Sequence, residues 1–483
     1  MKTDIFFRAD GHNRMGVGHV MRSLALSRML MRDFNCLVAI RNPNPALRTL
    51  ARGLCHRLIE LPETEDDLAE AALLAKHFLS GKEIVVLDGY HFGAEYQALM
   101  RRRGGPVVCI DDLHREPFVA DLIINHAGGI RPEDYDAQPY TRFCLGPDYA
   151  LLHKAYLEAA RSRIRPNGHR VAFVCMGGAD PHNDTLKVLH RLEASGFVRQ
   201  CYVVLGPAYR HHEALRAYLQ ESSLSVMLLE NLPPEHMVGY MRLCPLAVLP
   251  PSTVALEYCC VGGALYLHQT ADNQNDLRRY LLGEGLAFDL AEFPVVQPER
   301  VNAVMTRQAE VFDGHSDVRL LRAFIHLENE MHCRLRPATI DDMMSFFRWA
   351  NDPETRRQSF NSKPITLAEH KHWFSRKLFD PASYLYVLEF KGQPVGQIRF
   401  DLKERAVLSY SVAPEFRGRG FGTLLIERGL ARLRQDVGEP LEVVGYVKAE
   451  NAASNRAFRK LGFEPLPGAA PRQAVAYRLA VRR

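Results

Sequence analysis

Short apolar runs alternate with helix-like segments along the first 160 or so residues. The spacing of polar and apolar positions predicts helices at residues 66–79 and 94–103, among others. Strands that alternate with helices are typical of βαβ units around a parallel sheet, so this part of the chain is predicted to be α/β. The apolar runs that predict its strands are residues 5–7, 36–40, 83–88, 107–110 and 122–125.

A second α/β pattern begins after the polar segment 162–169, whose proline and glycine predict a domain boundary. Residues 171–176 predict a strand, Gly177-Gly178 a turn, and a helix is predicted from about residue 183. The chain is therefore predicted to fold as two consecutive doubly wound halves with a cleft between them. Further strands of the second half are predicted at 202–205, 226–229 and 246–249.

The order of elements changes near residue 333, after a predicted connecting helix at 320–331. Consecutive strands mixed with helices indicate an α+β domain. The predicted strands are 384–390, 395–402, 407–412, 441–447 and one near 474–479, with helices from 420 to about 435 and at 452–461. A hairpin turn is predicted at Gly392-Gln393. The sequence thus predicts three domains, at 1–165, 166–332 and 333–483.

Composition narrows the class of protein. The chain has 483 residues, enough for three domains of ~150 residues, and is 47% hydrophobic and 24% charged, as globular proteins are. Its net charge of +5 is mild, so nucleic acid is not an expected partner. No run approaches the roughly 20 apolar residues of a membrane span, and the N-terminus lacks the apolar core of a signal peptide. Ten scattered cysteines without a C-x-x-C pair favour a reducing compartment, and we expect a cytoplasmic protein.

Residues 16–22, with the sequence G-V-G-H-V-M-R, follow the first predicted strand. A helix is predicted to begin within this stretch, with His19 near its start. A helix N-terminus favours anions such as phosphate, and glycines let the backbone approach a ligand closely. The same positive end disfavours an imidazolium, so His19 is expected to be neutral and able to take a proton from water. The alternative is that His19 only caps the helix.

Acidic residues follow three of the predicted strands, where ligand-facing side chains lie in open α/β sheets. They are Asp10, Asp88 of Asp88-Gly89-Tyr90, and Asp111-Asp112. Carboxylates at these positions could hold the hydroxyls of a sugar, although helix capping is an equal alternative for Asp111 or Asp112. No H-E-x-x-H or matched histidine–cysteine set is present, so no metal is predicted.

The second half carries a Gly177-Gly178 turn fit to wrap a phosphate. Ser252 and Thr253 lie where a helix is predicted to begin, and Glu257 lies in its first turns. Glu257 could accept both ribose hydroxyls, or the segment could be a capping-box-like helix start. Asn273 and Gln274 offer amide groups after another strand.

The order of these motifs resembles the UDP-2,4-diacetamido-2,4,6-trideoxy-β-L-altropyranose hydrolases of pseudaminic acid biosynthesis, over residues 1 to about 320. The resemblance implies two Rossmann-like halves in a glycosyltransferase-B-like arrangement, a second half that binds UDP, and His19 as the catalytic residue that activates water. Ala179 and Pro250-Pro251 depart from the family's pattern, which puts some nucleotide contacts in doubt. The UDP-sugar-binding residues then predicted are Asp10, Gly16, Gly18, Arg22, Asp88, Tyr90, Gly177, Gly178, Ser252, Thr253, Glu257, Asn273 and Gln274.

The loop after the predicted strand 407–412 has the pattern R-x-x-G-x-G, which presents backbone N–H groups at a helix start and suits a pyrophosphate. With the segments 450–456 and 460–463, it resembles the GNAT acyltransferase superfamily over residues 333–483; a plain glycine turn is the alternative. The segments 351–353 and 369–374 resemble the acetyltransferases of UDP-amino sugars in the same pathway. The acetyl-CoA-binding residues then predicted are Val412, Arg417, Gly418, Arg419, Gly420, Gly422 and Asn451.

One departure concerns the acetyl transfer itself. Phe458 stands where many superfamily members have the tyrosine that protonates the leaving thiolate, and phenylalanine has no proton to donate. The sequence does not identify the base that accepts the proton of the amine, and Tyr410, Ser411 and Asp401 are the candidates.

The sequence thus predicts a bifunctional enzyme. The C-terminal domain would acetylate the 4-amine of a UDP-amino sugar, with acetyl-CoA as co-substrate, and the N-terminal pair would cleave UDP from the product with water. The alternatives are a glycosyltransferase with an appended acetyltransferase, or with a non-catalytic CoA-binding module.

Overall fold

The computed structural model describes residues 2–11, 18–164, 170–295, 297–438, 441–467 and 474–481. The chain divides into two compact units, Met1–Leu321 and Arg322–Arg483. The division falls inside one helix, α12 (Ser316–His332), which lies wholly in the second of the three predicted domains. The three-domain division remains a prediction.

The first sheet of the N-terminal unit has seven parallel strands in the order β3-β2-β1-β4-β5-β6-β7. The strand order reverses between β1 and β4, and in such sheets ligands bind beyond the carboxyl ends of the strands at this switch point. The strands are β1 (Asp4–Ala9), β2 (Asn35–Arg41), β3 (Arg57–Leu61), β4 (Ile84–Asp88), β5 (Val107–Ile110), β6 (Leu122–Asn125) and β7 (Arg142–Leu145). The helices are α1 (Gly18–Leu30), α2 (Pro45–Leu54), α3 (Asp67–Phe78), α4 (Ala94–Arg103) and α5 (Lys154–Arg161).

The second sheet of this unit has six parallel strands in the order β10-β9-β8-β11-β12-β13. The two predicted doubly wound halves are therefore confirmed. The strands are β8 (Val171–Val174), β9 (Gln200–Leu205), β10 (Ser225–Glu230), β11 (Leu246–Leu249), β12 (Ala264–Leu267) and β13 (Phe288–Asp289). The helices are α6 (Asp184–Ala194), α7 (His212–Glu221), α8 (Pro234–Leu243), α9 (Thr253–Val261), α10 (Asn275–Gly283) and α11 (Pro298–Val311).

The C-terminal unit has a seven-stranded sheet in the order β14-β15-β16-β17-β18-β20-β19, which confirms the predicted α+β domain. All neighbouring strands are antiparallel except β17 and β18, which are parallel. The strands are β14 (Cys333–Pro337), β15 (Ser383–Phe390), β16 (Gln393–Leu402), β17 (Ala406–Val412), β18 (Leu441–Lys448), β19 (Glu464–Pro465) and β20 (Ala474–Val481). The helices after α12 are α13 (Met343–Asn351), α14 (Pro353–Gln358), α15 (Leu367–Leu378), α16 (Phe421–Val437) and α17 (Ala452–Lys460).

The parallel pair in this sheet is short. Its register ends where Leu408 pairs with Gly445, although β17 runs on to Val412 and β18 to Lys448. The last residues of the two strands are therefore not paired with each other, and a gap opens between them at the carboxyl end of β17.

The hairpin between β15 and β16 lies one residue earlier than predicted. Phe390 pairs with Gln393, so the turn residues are Lys391 and Gly392, and Gln393 already belongs to a strand. Both turn residues have positive φ, 51° and 80°, as a type I′ turn requires. The prediction placed the turn at Gly392-Gln393 because a lysine in the left-handed region leaves no signal in the sequence.

Candidate active sites

His19 lies in the first turn of α1, beside the carboxyl end of β4. Its Nδ1 is 2.7 Å from Oδ1 of Asp88, the last residue of β4. Nη2 of Arg22, which can only donate, lies 3.0 Å from the same nitrogen but is closer to Oδ1 of Asp88, at 2.7 Å. A carboxylate can only accept, so the shorter contact favours Nδ1–H as the donor to Asp88 and leaves the lone pair on Nε2. Within the described part of the chain, Nε2 has no hydrogen-bond partner. Nε2 is therefore in position to take a proton. Helix capping alone would not require the bond to Asp88, and the catalytic role of His19 remains a prediction.

Asp88 is fully buried and its oxygens are occupied by protein groups. Besides His19, it accepts from Nη2 of Arg22 at 2.7 Å and from Oγ of Ser23 at 3.3 Å. Burial acts to raise the pKa of Asp88, but the charge of Arg22 and the bond from His19 outweigh it, so the pKa lies below its usual value. The sequence predicts a carboxylate that holds a sugar hydroxyl; instead, Asp88 is in position to orient His19 and to stabilise a positive charge on it.

Arg22 and Tyr90 complete the surroundings of His19. Oδ2 of Asp112 accepts from Nη1 of Arg22 at 2.9 Å and from the Tyr90 hydroxyl at 3.2 Å. The Tyr90 ring stands edge-on to the imidazole, with centroids 4.7 Å apart, and is 49% exposed. Partial burial and the charge of Asp112 raise the pKa of Tyr90 to about 12, so its hydroxyl keeps the proton that it donates to Asp112, and the phenolic oxygen can accept from a ligand.

His126 is a further member of this cluster that the sequence analysis does not identify. It directly follows β6, as Asp88 ends β4 and Asp112 follows β5. Burial, with a smaller effect of Arg22, lowers the pKa of His126 to about 4, so the side chain is neutral. The sequence could have indicated His126 as a site residue, because it directly follows a buried apolar strand.

Asp10 belongs to a buried ion cluster rather than to an open site. Both of its oxygens accept from Arg8, at 2.5 and 2.8 Å, and Oδ1 accepts from the backbone N–H of Arg41 at 3.0 Å. Glu70 binds the other edge of Arg8 at 2.9 Å. Burial opposes the ionisation of Asp10, but His91 and Arg8 more than compensate and keep its pKa well below the ordinary value. The predicted contact of Asp10 with a sugar would therefore compete with three protein residues, Arg8, Arg41 and His91.

A cavity of about 530 Å³ adjoins this ion cluster. Asp10 and Arg41 line it on the side of the cluster, and Tyr90 connects it with the surroundings of His19. The remaining lining residues are Glu63, Thr64, Glu65, Asp67 and His91. The cavity gives a small ligand room directly beside the candidate base.

In the second half, the turn at Gly177 and Gly178 lies after β8. Gly177 has a φ of 87°, and a Cβ placed on Gly206 would lie 2.3 Å from the carbonyl oxygen of Gly178. The two loops at the carboxyl ends of β8 and β9 thus approach each other closely, which only glycine permits. Asp180 caps the helix that follows, accepting from the N–H groups of Asp184 and Thr185 at 2.6 and 2.9 Å.

Ser252 is the N-cap residue of α9, and the helix begins at Thr253. The Ser252 side chain makes no capping hydrogen bond, so the capping-box alternative is wrong. Glu257 is partly buried and bonded to Tyr156, and burial raises its pKa to about 8. A half-buried carboxyl next to a tyrosine could accept ligand hydroxyls, as the sequence predicts for Glu257.

The side chain of Gln274 forms hydrogen bonds within its own loop, to Thr270. Its Oε1 accepts from the backbone N–H of Thr270 at 2.9 Å, and its Nε2 donates to the Thr270 hydroxyl at 3.0 Å. A nucleotide that binds Gln274, as predicted, would have to replace these bonds to Thr270. Two other predicted ligand contacts, Gly16 and the side chain of Asn273, lie outside the described residues, and Gly18 is the first described residue of α1.

In the C-terminal unit, the predicted pyrophosphate loop leads into α16. Gly418 and Gly420 have φ values of 78° and 83°, and Gly420 is the N-cap of α16 without a side-chain cap. The first N–H groups of this helix are therefore free of side-chain capping, as anion binding requires. Gly422 lies in the first turn of the helix, and Val412 ends the strand before the loop.

The two arginines of the loop are already paired. Arg417 donates through Nη2 to Asp352 at 2.5 Å and to Thr355 at 3.0 Å, and through Nε to the carbonyl of Val412 at 3.3 Å. Arg419 lies 3.4 Å from a Glu328 oxygen and over the ring of Phe390. The sequence predicts both as phosphate contacts; the structure shows Arg417 holding the start of α14 against the end of β17.

Asn451 caps α17, accepting through Oδ1 from the N–H of Ser454 at 3.1 Å. Its predicted contact with acetyl-CoA would thus have to come from its other side-chain atom. Among the candidate bases, Asp401 is held by Lys377 at 2.8 Å and Arg399 at 2.9 Å, and despite burial its pKa lies below the usual value. Asp401 is therefore tied into an ion cluster of its own.

Comparisons with known proteins give a family for one part of the chain and relatives for the chain. Residues 332–464 match the family model of the acetyltransferase (GNAT) domain, so the C-terminal unit carries such a domain. The chain is also similar to proteins of sugar biosynthesis. The spore coat polysaccharide biosynthesis protein SpsG of Bacillus subtilis is 24% identical over 62% of this chain and 87% of its own length. The UDP-2,4-diacetamido-2,4,6-trideoxy-beta-L-altropyranose hydrolase of Campylobacter jejuni is 22% identical over 47% of this chain and 82% of its own length.

The resemblance to such a hydrolase joined to a GNAT domain is thereby confirmed. A solved structure, the spermidine N-acetyltransferase of Vibrio cholerae, is 19% identical with a TM-score of 0.28, and covers 31% of this chain and 95% of its own. No helix among the described residues is long and apolar enough to cross a membrane. The same residues contain no cluster of three side chains arranged to hold a metal ion.

Proposed function

We propose that the chain is a bifunctional nucleotide-sugar enzyme of pseudaminic acid biosynthesis. The N-terminal unit hydrolyses UDP from a UDP-2,4-diacetamido-2,4,6-trideoxy hexose. The C-terminal unit makes that substrate by acetylating the 4-amine of the UDP-amino sugar precursor with acetyl-CoA. The observation that supports hydrolysis most directly is the bond from His19 to buried Asp88, which leaves Nε2 able to take a proton.

In the hydrolysis step, water attacks the anomeric carbon. The new C–O bond forms as the bond to the diphosphate oxygen breaks, and UDP leaves with the electron pair. His19 Nε2 takes the proton of the water, and Asp88 stabilises the resulting imidazolium. Because UDP is a good leaving group, the protein must mainly position the water and neutralise the diphosphate. A single displacement releases the sugar with inversion.

Tyr90 and Asp112 are proposed to bind the sugar. The Tyr90 hydroxyl donates its proton to Oδ2 of Asp112, so its oxygen can accept, and Oδ1 of Asp112 is buried without a partner among the described residues. Two acceptors side by side suit a sugar whose hydroxyl and amide N–H groups can donate. UDP is proposed to lie on Gly177, Gly178, Ser252, Thr253 and Glu257 of the second half.

The test supplies the UDP-4-amino sugar, acetyl-CoA and ¹⁸O-water, and analyses the products by mass spectrometry. The expected products are the acetylated UDP sugar, then UDP and a free diacetamido sugar with ¹⁸O at the anomeric carbon. His19→Ala is expected to abolish UDP release while CoA release continues. Transfer of the sugar to an added acceptor, without ¹⁸O uptake, would instead identify a glycosyltransferase. Loss of both activities in folded His19→Ala protein would contradict separate sites.

All ten cysteines are buried and none forms a disulfide. This agrees with action in a reducing compartment, which we propose to be the cytoplasm. Fractionation of cells that express the tagged chain would test this assignment.

A further inference from the structure

Position 458 cannot supply a proton in the acetyl transfer. Phe458 is 1% exposed and packs directly on the backbone of β18, where a Cβ on Gly445 would lie 2.2 Å from its ring. Its other neighbours are aromatic, with the Phe463 ring at 4.7 Å and the Tyr477 ring at 5.2 Å. This side chain belongs to the hydrophobic core of the unit.

A different hydroxyl reaches the same face of α17. The Tyr410 hydroxyl is 2.9 Å from Oγ of Ser454, and Ser454 lies one helical turn before Phe458. Residues four apart in a helix lie on one face, so Ser454 and Phe458 point in the same direction. The Tyr410 ring is 6.4 Å from the Phe458 ring, centroid to centroid.

Tyr410 also lies where β17 and β18 are no longer paired. Their register ends at Leu408, two residues earlier along β17. The start of α16 is also close to the phenol, since a Cβ on Gly422 would lie 3.8 Å from the Tyr410 hydroxyl. The hydroxyl thus lies near the first turns of two helices, α16 and α17.

We propose that the Tyr410 hydroxyl, held by Ser454, protonates the thiolate that leaves in the acetyl transfer. The inference rests on the proposed acetyltransferase activity. The acceptor amine forms a C–N bond with the acetyl carbonyl carbon, and the C–S bond breaks with its electron pair going to sulfur. The phenolic proton passes to that sulfur. The ammonium proton of the product leaves to water, and water returns a proton to the phenolate.

Two features suit Tyr410 to this task. Burial raises its pKa above the ordinary value, and the Ser454 bond offsets this only partly, so the phenol is protonated before the reaction. With the Ser454 hydroxyl as donor in their bond, the phenolic proton remains free to be donated. A tyrosine on β17 thereby replaces the hydroxyl that position 458 lacks.

The test compares Tyr410→Phe with the full-length wild-type chain. CoA release is followed by thiol titration, with the UDP-amino sugar and, separately, with hydroxylamine as a general nucleophile. We expect Tyr410→Phe to lower kcat about 10²-fold, at the low end of general acid catalysis because a thiolate is a stable leaving group. The KM for acetyl-CoA is expected to change less than about twofold, since the phenol acts only as the C–S bond breaks.

Two further variants separate chemistry from folding. Tyr386→Phe removes another buried hydroxyl, bonded at 2.7 Å to Asp436 away from the gap, and is expected to keep full activity. Ser454→Ala should lower kcat, and Ser454→Thr, which keeps the hydroxyl, should restore it.

Wild-type kcat in Tyr410→Phe, with either acceptor, would overturn the assignment of the proton donor and leave the acetyltransferase standing. Failure of the proposed function gives a different result, because the wild type would then release CoA to hydroxylamine but not to the UDP-amino sugar. In that case the Tyr410→Phe comparison with hydroxylamine still decides the role of the phenol.

Discussion

At the scale of single residues, the candidate hydrolase site depends on one carboxylate. Asp88 binds His19, Arg22 and Ser23 at once, and all of these bonds span more than 60 positions in the chain. The sequence predicts that Asp88 ends a strand near the site, because strand ends are visible as apolar runs. It does not reveal which groups Asp88 binds, since that depends on how α1 packs beside β4.

Asp88→Asn keeps the size of this side chain and an oxygen that can accept from His19 Nδ1. It removes the negative charge that would stabilise the imidazolium. We expect kcat for UDP release to fall by about 10²-fold or more, the range of general base catalysis. The measurement is UDP release from the diacetamido substrate.

Acetyl transfer by the same Asp88→Asn protein is the internal control, since the residues proposed for that reaction all belong to the other unit. UDP release at the wild-type rate would show that Asp88 has only a structural role.

Glu257 provides a test by pH. Its pKa is raised by burial from 4.5 to about 8, so in the folded protein it keeps a proton that the unfolded chain has released. Stability from this group is complete below about pH 4.5 and is lost as the pH rises through about 8. Glu257→Gln cannot ionise, so we expect it to melt a few degrees higher than the wild type at pH 9 and within one degree at pH 5.

Calorimetry without ligand is the suitable measurement for this comparison. Tryptophan fluorescence would report on the other unit, because both tryptophans, Trp349 and Trp373, lie there. An equal melting temperature of wild type and Glu257→Gln at pH 9 would mean that Glu257 titrates in its ordinary range.

At the scale of elements, the interior strands of the first sheet were predictable and its two edge strands were not. The residues of β5 and β6 are all buried, and the predicted bounds match the observed ones. No strand was predicted at β3 or β7, which form the two edges of the same sheet. β3 carries Arg57 and Glu60, so it shows no continuous apolar run. The second sheet does not follow the same rule. Its exposed edge strand β10 contains the apolar run predicted at 226–229, whereas no range was predicted for the buried interior strand β12.

The contact of α14 with the end of β17 was also not predictable. Arg417 lies in a motif that suggests phosphate binding, yet it pairs with Asp352 at the start of α14. Spacing within a motif shows that a cation is near the loop. It cannot show that a carboxylate 65 positions earlier neutralises that cation.

Asp352→Asn separates the two roles of this pair. Asparagine caps helices as well as aspartate does, so the bond to the Thr355 N–H, 2.9 Å in the wild type, is retained. The charge of Arg417 is then no longer neutralised beside the predicted pyrophosphate loop. We expect the KM for acetyl-CoA to fall roughly two- to fivefold at low ionic strength, as for a partly exposed charge pair.

The difference between wild type and Asp352→Asn should vanish in high salt, because the charge is then screened. Titrations of KM at low and high salt measure this. A KM that rises at both salt concentrations would indicate that the pair maintains the shape of the loop.

At the scale of the whole molecule, the sequence was enough to predict two doubly wound halves and an α+β domain after them. Each architecture has its own order of helices and strands. That order can be recognised even when the predicted bounds of an element are wrong by a residue or two. The side chains that surround each site come from separate segments, such as Tyr410 and Ser454 or Arg22 and Asp112. Their pairing required the folded chain.

The proposed groups of each reaction all belong to one unit. His19, Arg22 and Asp88 lie in Met1–Leu321, whereas Tyr410, Gly420 and Ser454 lie in Arg322–Arg483. We therefore expect two defective chains to complement each other when mixed, through an acetylated UDP sugar that is released into solution. One partner is His19→Ala. The other is Gly420→Asp, whose charge would repel the pyrophosphate. Aspartate tolerates the left-handed backbone at this position, and the nearest neighbour of a Cβ there is 3.9 Å away.

Each variant alone is expected to stop at one step. His19→Ala should accumulate the acetylated UDP sugar, and Gly420→Asp should leave the amino sugar untouched but hydrolyse the acetylated one. The mixture should form the free diacetamido sugar after a lag that shortens as the Gly420→Asp concentration rises, because the intermediate must diffuse between chains. If the mixture forms no free sugar while both single activities persist, the intermediate does not leave the chain that makes it.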